Sequence, residues 1–219
     1  MLLAMIAHAD LTQTTLEHFR REAAGQHPMP AGVAIAAVSA GFALGLVAKV
    51  LAVVGRRATP PADTATLAPL TAAAQGASQR MLQMAADDVA AFEAYLTARR
   101  LPQSNESERE ARRQAIDTAV RGAIELPLAA AAAAAAGLEL CSETSAFTPA
   151  DLTADLGVSA DLLASALRGF LLCAQSNVGQ LAPAGAALGE RVASETAGHA
   201  AALRLAETIL ERARRAVEV

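Results

Sequence analysis

The sequence predicts an all-α fold: a single helical bundle built around a buried helix that is rich in alanine and glycine. Alanine accounts for 58 of the 219 residues, and it favours helix because it loses no side-chain entropy there. Aromatic residues make up only 3% of the chain, which argues against an all-β fold. With 53% hydrophobic and 18% charged residues, the chain is too apolar to be disordered. The length fits one helical domain over residues 1–219.

Charge and cysteine usage narrow the function classes. The net charge of -4 gives no basic surface for nucleic acid, so we expect no nucleic-acid partner. Cys141 and Cys173 each stand alone in an apolar segment, which predicts reduced thiols in a cytoplasmic protein and no metal site. The short apolar stretch at residues 1–10 has no basic residue before it, so we expect no secretory signal.

The second predicted helix is apolar enough either to span a membrane or to lie buried in a soluble bundle. A helix is predicted over residues 10–22 with Asp10 as its cap, and a nearly unbroken apolar segment follows at residues 31–54. By length alone that segment suits a bilayer span. Lys49 near its end and small residues such as Gly41 and Gly45 fit the buried helix of a soluble bundle equally well. A membrane span and a buried helix are both open at this point.

Helical spacing and capping signals predict two long helices in the middle of the chain. Apolar residues at helical spacing predict a long helix over residues 62–100. Asn105 and Glu108 form a capping box that begins the next helix, in which Pro127 predicts a kink. The eight consecutive alanines at 129–136 fill little space, so a neighbouring backbone can approach closely.

The last third of the chain contains a stretch that resembles a DNA-binding motif. Thr148 is predicted to cap a further helix, and residues 152–167 look like a helix-turn-helix with Gly157 at the turn and Ser159 capping its second helix. The second helix of that motif offers one arginine and none of the Asn, Gln or Lys residues that also read bases, so DNA binding is not expected. A final helix is predicted over residues 184–217.

Short motifs spread over most of the chain carry a family resemblance. Each motif is weak alone, but their order is fairly specific: 16–19 with 28–32, 84–92, 101–102, 124–128, and 154–158 with 166–169. In this order they resemble the cyclodeaminase/cyclohydrolase family. That family includes the C-terminal domain of formimidoyltransferase-cyclodeaminase and the bacterial methenyltetrahydrofolate cyclohydrolases.

The resemblance implies a fold, a partner and a chemistry. It implies an all-helical cytosolic homodimer with the glycine-rich helix buried, which favours the bundle over the membrane span. It also implies opening or closure of a C–N bond in the folate ring that joins N5 and N10, with addition of water or release of ammonia. The partner is then a small-molecule substrate, and no cofactor is implied because folate is the substrate.

The sequence departs from the family at several polar positions. The family loop Pro-Gly-Gly-Gly-Ser reads Pro-Ala-Gly-Val-Ala at residues 30–34, and Ala52 and Cys173 stand where the family has Asn. The family's lysine run is reduced to the arginine pair 56–57, whereas Asn177 matches. A glycine-rich turn lets backbone N–H groups approach an anion, so these departures predict a less polar pocket and a less polar substrate than folate.

The remaining ionisable residues point to general acid–base catalysis. A carboxyl desolvated in an alanine-lined bundle has a raised pKa and exchanges a proton near neutral pH, and a lysine in an apolar helix can act as a base. The predicted catalytic residues are Asp88, Lys49 and Asp155. The predicted substrate-binding residues are Gly32, Asp87, Glu125, Arg168 and Asn177.

Structural roles compete with these assignments. The alternatives are an exposed pair for Asp87 and Asp88, a helix cap for Asp155, satisfaction of backbone groups near Pro127 for Glu125, snorkelling for Lys49, and pairing with Asp161 or Asp155 for Arg168.

The sequence therefore predicts a diverged cyclodeaminase/cyclohydrolase-family enzyme. It would open or close a ring on a small molecule, either a folate one-carbon unit or a less polar substrate on which it acts as a cyclase. The alternative is a non-catalytic helical dimer that binds a ligand or a protein.

Overall fold

The fold is built from α-helices in the residues that the computed structural model describes, 13–57, 62–181 and 185–218. No strand occurs in these ranges, and the predicted all-α class is confirmed. The helices, in chain order, are α1 Leu16–Ala23, α2 Gly32–Arg57, α3 Ala62–Arg99, α4 Glu106–Ser145, α5 Thr153–Val178, α6 Ala186–Gly198 and α7 Ala200–Val217, with a 3-10 turn at Ala150–Leu152 before α5.

Helix α2 is central to the bundle and buries one of its sides against other helices. It packs against α3, α4 and α5, and its interior side includes Ala34, Ala37 and Leu44, all fully buried. Where α4 crosses at Gly137, an added Cβ would lie 3.2 Å from the side chains of both Leu44 and Leu163. Small residues thus allow three helix backbones to approach closely, and the predicted Ala/Gly-rich central helix is confirmed.

Helices α2 and α5 run antiparallel beside each other. At one end, Gly32 at the start of α2 lies against Cys173 near the end of α5. At the other end, Lys49 Nζ donates to Asp155 Oδ2 at 3.2 Å. These two contacts fix the register of the helix pair.

The structure confirms one of the predicted helix caps and contradicts another. The Asn105 cap is confirmed, since Glu108 N donates to Asn105 Oδ1 at 2.9 Å. The predicted cap at Thr148 is wrong, because its hydroxyl donates back to the carbonyl of Thr144 at 2.8 Å in the preceding helix. The first helix begins at Leu16, with Thr15 as its cap, and the predicted cap Asp10 lies outside the described residues.

The predicted helix-turn-helix is wrong. Helix α5 runs without interruption through Gly157, and Ser159 Oγ donates to the Asp155 carbonyl within that helix instead of capping a new one. Gly157 instead allows α5 and α7 to pack closely, since a Cβ on it would lie only 2.9 Å from the Cβ of Ala213 in α7. The predicted last helix also proves to be two, α6 and α7, which meet at His199.

Three stretches of the bundle are long and apolar enough to cross a membrane by length and composition: α2, α4, and the 3-10 turn with α5. About half of the residues in each apolar window are buried inside the bundle. Contacts between helices therefore account for much of this apolarity.

Replacing Gly157 with Leu is expected to lower the free energy of unfolding by about 1–3 kcal/mol, because the new side chain must separate α5 from α7. Gly122→Ala is the matched control, since nothing lies within 4 Å of a Cβ at that helical position. The control should raise stability by about 0.5–1 kcal/mol. Urea unfolding of both variants measures the effect, and a loss of similar size in both would contradict the close crossing.

Candidate functional site

A cavity of about 230 Å³ lies at the end of the bundle where α2 begins and α5 ends. Its walls come from the segment before α2 and the start of α2, the last third of α3, the middle of α4, and the end of α5 with the residues just after it. Most of the lining is apolar, and an acidic side chain projects from one wall. The lining residues include Gly32, Val33, Asp88, Phe92, Tyr95, Ala123, Cys173, Ser176, Asn177 and Gln180.

Asp88 is the acidic group of the cavity. Its partly buried carboxylate accepts a hydrogen bond from the backbone N–H of Ala34, in the first turn of α2. Such N–H groups have no partner within their own helix, and the helix dipole favours negative charge at that end. Burial nevertheless dominates and raises the pKa of Asp88 from 3.8 to about 6, although the Ala34 bond acts to lower it. This carboxyl can therefore both accept and donate a proton close to neutral pH.

Helix α3 brings two aromatic rings to the same wall. Phe92 and Tyr95 follow Asp88 by four and seven residues, which places all three on one side of the helix. The ring centroids are 6.3 Å apart, and the guanidinium of Arg99 stacks 5.8 Å from the Tyr95 centroid. The sequence reasoning missed Tyr95 as a site residue, although its helical spacing from Asp88 was the available signal.

Asn177 links the α5 wall of the cavity to the α4 wall by a hydrogen bond. Its Nδ2 donates to the carbonyl of Ala123 in α4 at 3.0 Å, and its Oδ1 accepts from Gln180 Nε2 at 3.2 Å. Both ends of the amide are occupied, so its orientation in the cavity wall is fixed.

Cys173 contributes an apolar wall. Its Sγ lies 3.1 Å from the position that a Cβ on Gly32 would take, so the missing side chain of the glycine leaves room for the thiol. Burial, with a smaller contribution from the charge of Asp88, raises the pKa of this thiol. It therefore stays protonated at neutral pH. Neither Cys173 nor the buried Cys141 forms a disulfide.

Three of the predicted site residues meet in the cavity, namely Gly32, Asp88 and Asn177. The neighbouring Asp87 is exposed, and its Oδ1 accepts from Gln83 Nε2 at 2.9 Å on the surface of α3. Of the two adjacent carboxyls, only Asp88 faces the cavity.

Lys49 and Asp155 form an ion pair of their own at the other end of α2. The 17 residues from Gly32 to Lys49 correspond to about 25 Å along a helix. This pair is therefore remote from Asp88.

The last two predicted residues also lie on the surface. Glu125 is exposed, with Oε1 at 3.9 Å from Arg191 Nη1. Arg168 is exposed on α5, and among the described residues it pairs with neither Asp161 nor Asp155. The functional roles assigned to all of these residues stay predictions.

Comparison with known proteins decides the family. The sequence model described as formiminotransferase-cyclodeaminase matches residues 15–185, a range that contains every wall of the cavity. The chain belongs to the formiminotransferase-cyclodeaminase family. No curated protein matches it.

A solved structure shows the same fold. The formiminotetrahydrofolate cyclodeaminase of Thermotoga maritima matches with a TM-score of 0.77 over 95% of this chain and 98% of that one, at 19% sequence identity. The resemblance found in the sequence is confirmed, and the bundle is a cyclodeaminase fold.

The raised pKa of Asp88 makes stability depend on pH in this cyclodeaminase-family chain. Ionisation costs the folded state stability, and this cost is absent below about pH 4 and complete above about pH 6. Asp88→Asn removes the charge, so its stability relative to the original chain should rise across this interval. We expect a gain of about 1–2 kcal/mol at pH 7 after allowing for partial solvent screening.

Urea unfolding at several pH values between about 3.5 and 7.5, a range that spans the titration of Asp88, measures this gain. Asp87→Asn is the matched control, since its carboxyl is exposed. A pH-independent stability difference for Asp88→Asn would show that burial does not perturb the Asp88 carboxyl.

Proposed function

We propose that this chain is a diverged enzyme of the cyclodeaminase family that opens or closes a ring at a C–N bond of a small molecule. The observation that supports this most directly is Asp88, a carboxyl with a pKa of about 6 in an otherwise apolar cavity. A folate one-carbon unit is the first candidate substrate, because the family description and the name of the Thermotoga protein both refer to that chemistry.

Asp88 is suited to proton transfer in both halves of such a reaction. In the hydrolytic direction, water adds to the carbon of the ring C–N bond while the Asp88 carboxylate takes a proton from the water. The C–N bond then breaks as the protonated carboxyl returns the proton to the departing nitrogen, and the remaining hydroxyl proton passes to solvent as the added oxygen becomes a carbonyl. The Asp88 carboxylate is regenerated, and no cofactor is needed. We propose that the reaction takes place in the cytoplasm.

The volume of the cavity suits only part of a folate-sized substrate. Its volume of about 230 Å³ falls below the roughly 300–1,000 Å³ of pockets that enclose drug-sized ligands. It would hold the reacting ring, and the rest of the substrate would extend past its mouth. Val33 and Cys173 make this part of the wall apolar, which favours a substrate less polar than folate.

Asp88→Asn is expected to lower kcat/KM by about 10²–10⁴-fold, because the amide still accepts a hydrogen bond but cannot transfer a proton. The first assay follows the loss of the near-ultraviolet absorbance of 5,10-methenyltetrahydrofolate. In the original chain, kcat/KM for hydrolysis should rise with pH through about 6, the pKa of the Asp88 carboxyl.

Asp87→Asn is the control and should stay within about threefold of the original activity, since this carboxyl lies outside the cavity. Equal activity in both variants would remove Asp88 from the mechanism. If no ring-opening or ring-closing activity is found on folate or on less polar cyclic amidines, the proposed enzymatic function fails.

A further inference from the structure

An arginine without an ion-pair partner lies beside the cavity. The guanidinium of Arg99 stacks on the ring of Tyr95, 5.8 Å from its centroid, and Tyr95 is one of the lining residues. Arg99 is exposed and Tyr95 is half-buried, so this edge of the cavity is open to solvent. Among the residues that the structure describes, the Arg99 side chain forms no ion pair and donates no hydrogen bond. Its charge is therefore free to bind a ligand.

Helix α3 directs Arg99 back toward Asp88. Arg99 follows Tyr95 by four residues and Asp88 by eleven, which places all three on the same side of the helix. Long side chains on a helix lean toward its N-terminus, and the stack on Tyr95 shows that Arg99 does so. Since Tyr95 follows Asp88 by seven residues, the guanidinium lies about 10 Å along the helix from the carboxyl.

A second arginine leaves the N–H groups of Arg99 free. The carbonyl of Arg99 ends α3 and has no acceptor role within that helix. Arg112 of α4 satisfies this carbonyl, because its Nε and Nη2 both donate to it at 3.2 Å. Arg99 is therefore not needed to cap its own helix. In the described ranges Arg112 also has no carboxylate partner, so it adds a second positive charge to this edge of the cavity.

A stacked guanidinium is suited to binding an oxyanion. The Tyr95 ring covers one face of the Arg99 group, and the five N–H donors stay free in its plane. Two of them match two oxygens of a carboxylate or a phosphate group. Because the ring already restricts the side chain, less conformational entropy is lost when an anion binds. The charge of Arg112 attracts a negative group to the same place.

We infer that Arg99, held on the ring of Tyr95, binds an oxyanion group of the substrate, so that the substrate combines a ring that reacts at Asp88 with a carboxylate or phosphate about 10 Å away. The identity of this ligand as the substrate rests on the proposed function, whereas the binding of an oxyanion at Arg99 does not.

The cavity matches such a molecule at both ends. Near Asp88, the wall formed by Val33 and Cys173 is apolar, and the volume of about 230 Å³ holds a single ring. At the other end, Arg99 is exposed. The charged group of the ligand therefore keeps part of its hydration, which avoids the cost of burying an ion. An apolar ring with an anionic end suits this site better than a molecule that is polar throughout.

The chain carries its own reporter of this site. Tyr95 is the single tyrosine of a sequence without tryptophan, so tyrosine fluorescence reports on this place alone. Titration with cyclohexanecarboxylate should give a saturable change in that fluorescence. Cyclohexanecarboxamide has the same shape without the charge and should bind about tenfold more weakly, because hydrogen bonds to an ionised group are the stronger ones. Equal affinity for the two compounds would overturn the inference.

Neighbouring arginines provide a matched pair of variants. Arg99→Gln should weaken the binding of cyclohexanecarboxylate about tenfold or more and leave the binding of the carboxamide unchanged. Arg100→Gln removes the same charge from the next position, which is also exposed, and should stay within about twofold of the original affinity. An equal loss in both variants would show a general effect of net charge and no site at Arg99.

Two substitutions of Tyr95 test the stack, with calorimetry as the readout because both remove the fluorophore. Tyr95→Phe keeps an aromatic face beneath the guanidinium and should bind cyclohexanecarboxylate within about twofold of the original chain. Tyr95→Leu removes that face and should weaken binding about threefold to tenfold. Original affinity in Tyr95→Leu would show that the ring does not hold Arg99 for binding.

Cyclohexyl phosphate distinguishes the two oxyanions. Whichever of the phosphate and the carboxylate loses more affinity on Arg99→Gln is the group that the site takes. If neither depends on Arg99, the inference is wrong.

Kinetics separate this inference from the proposed function. On a ring substrate that the chain turns over, Arg99→Gln should raise KM about tenfold and leave kcat within about threefold, because the contact is the same before and during the reaction. Arg99→Lys keeps the charge and should recover part of the lost affinity. A fall in kcat with KM unchanged would contradict the binding role. If no turnover is found but the Arg99-dependent binding is, the proposed function fails and the oxyanion site stands.

Discussion

The close approach of α2, α4 and α5 around Gly137 is the constraint on which the rest of the structure depends. Leu44 and Leu163 occupy the space that any side chain at this position would need. Ala130 and Ala134, fully buried on the same helix, keep the neighbouring backbones close without loss of side-chain entropy. In the packed bundle the start of α2 meets the end of α5, and the cavity lies there.

Asp88 connects the packing of the bundle to its chemistry. Its carboxylate satisfies a backbone N–H of Ala34 at the start of α2, so it has a structural role as well as a position in the cavity. A cap needs no buried charge, and an amide would serve as well. A carboxyl kept where burial disfavours its ionised form is typical of a functional residue, which supports its proposed part in proton transfer.

The sequence predicted what depends on neighbours along the chain and failed where distant helices decide. The Asn105 cap and the extent of α3 follow from local signals, and the ordered motifs identified the family. The predicted turn at Gly157 is wrong because the role of this glycine inside a helix depends on the approach of Ala213, 56 residues further along the chain. Likewise, Asp88 could be chosen from its motif, but the separation of Lys49 from it follows from the register of α2 against α5, which no local pattern encodes.

The alanine run of α4 has a consequence for how such a bundle diversifies. Ala130, Ala131 and Ala134 have no exposed surface, so a single methyl group added there must move a neighbouring helix. The same helices carry the cavity walls, so its width and shape are inherited from contacts that never touch a substrate. Selection for a new substrate therefore has two routes, through the lining itself and through the spacing of remote helices. The second changes the pocket while every reacting group keeps its identity.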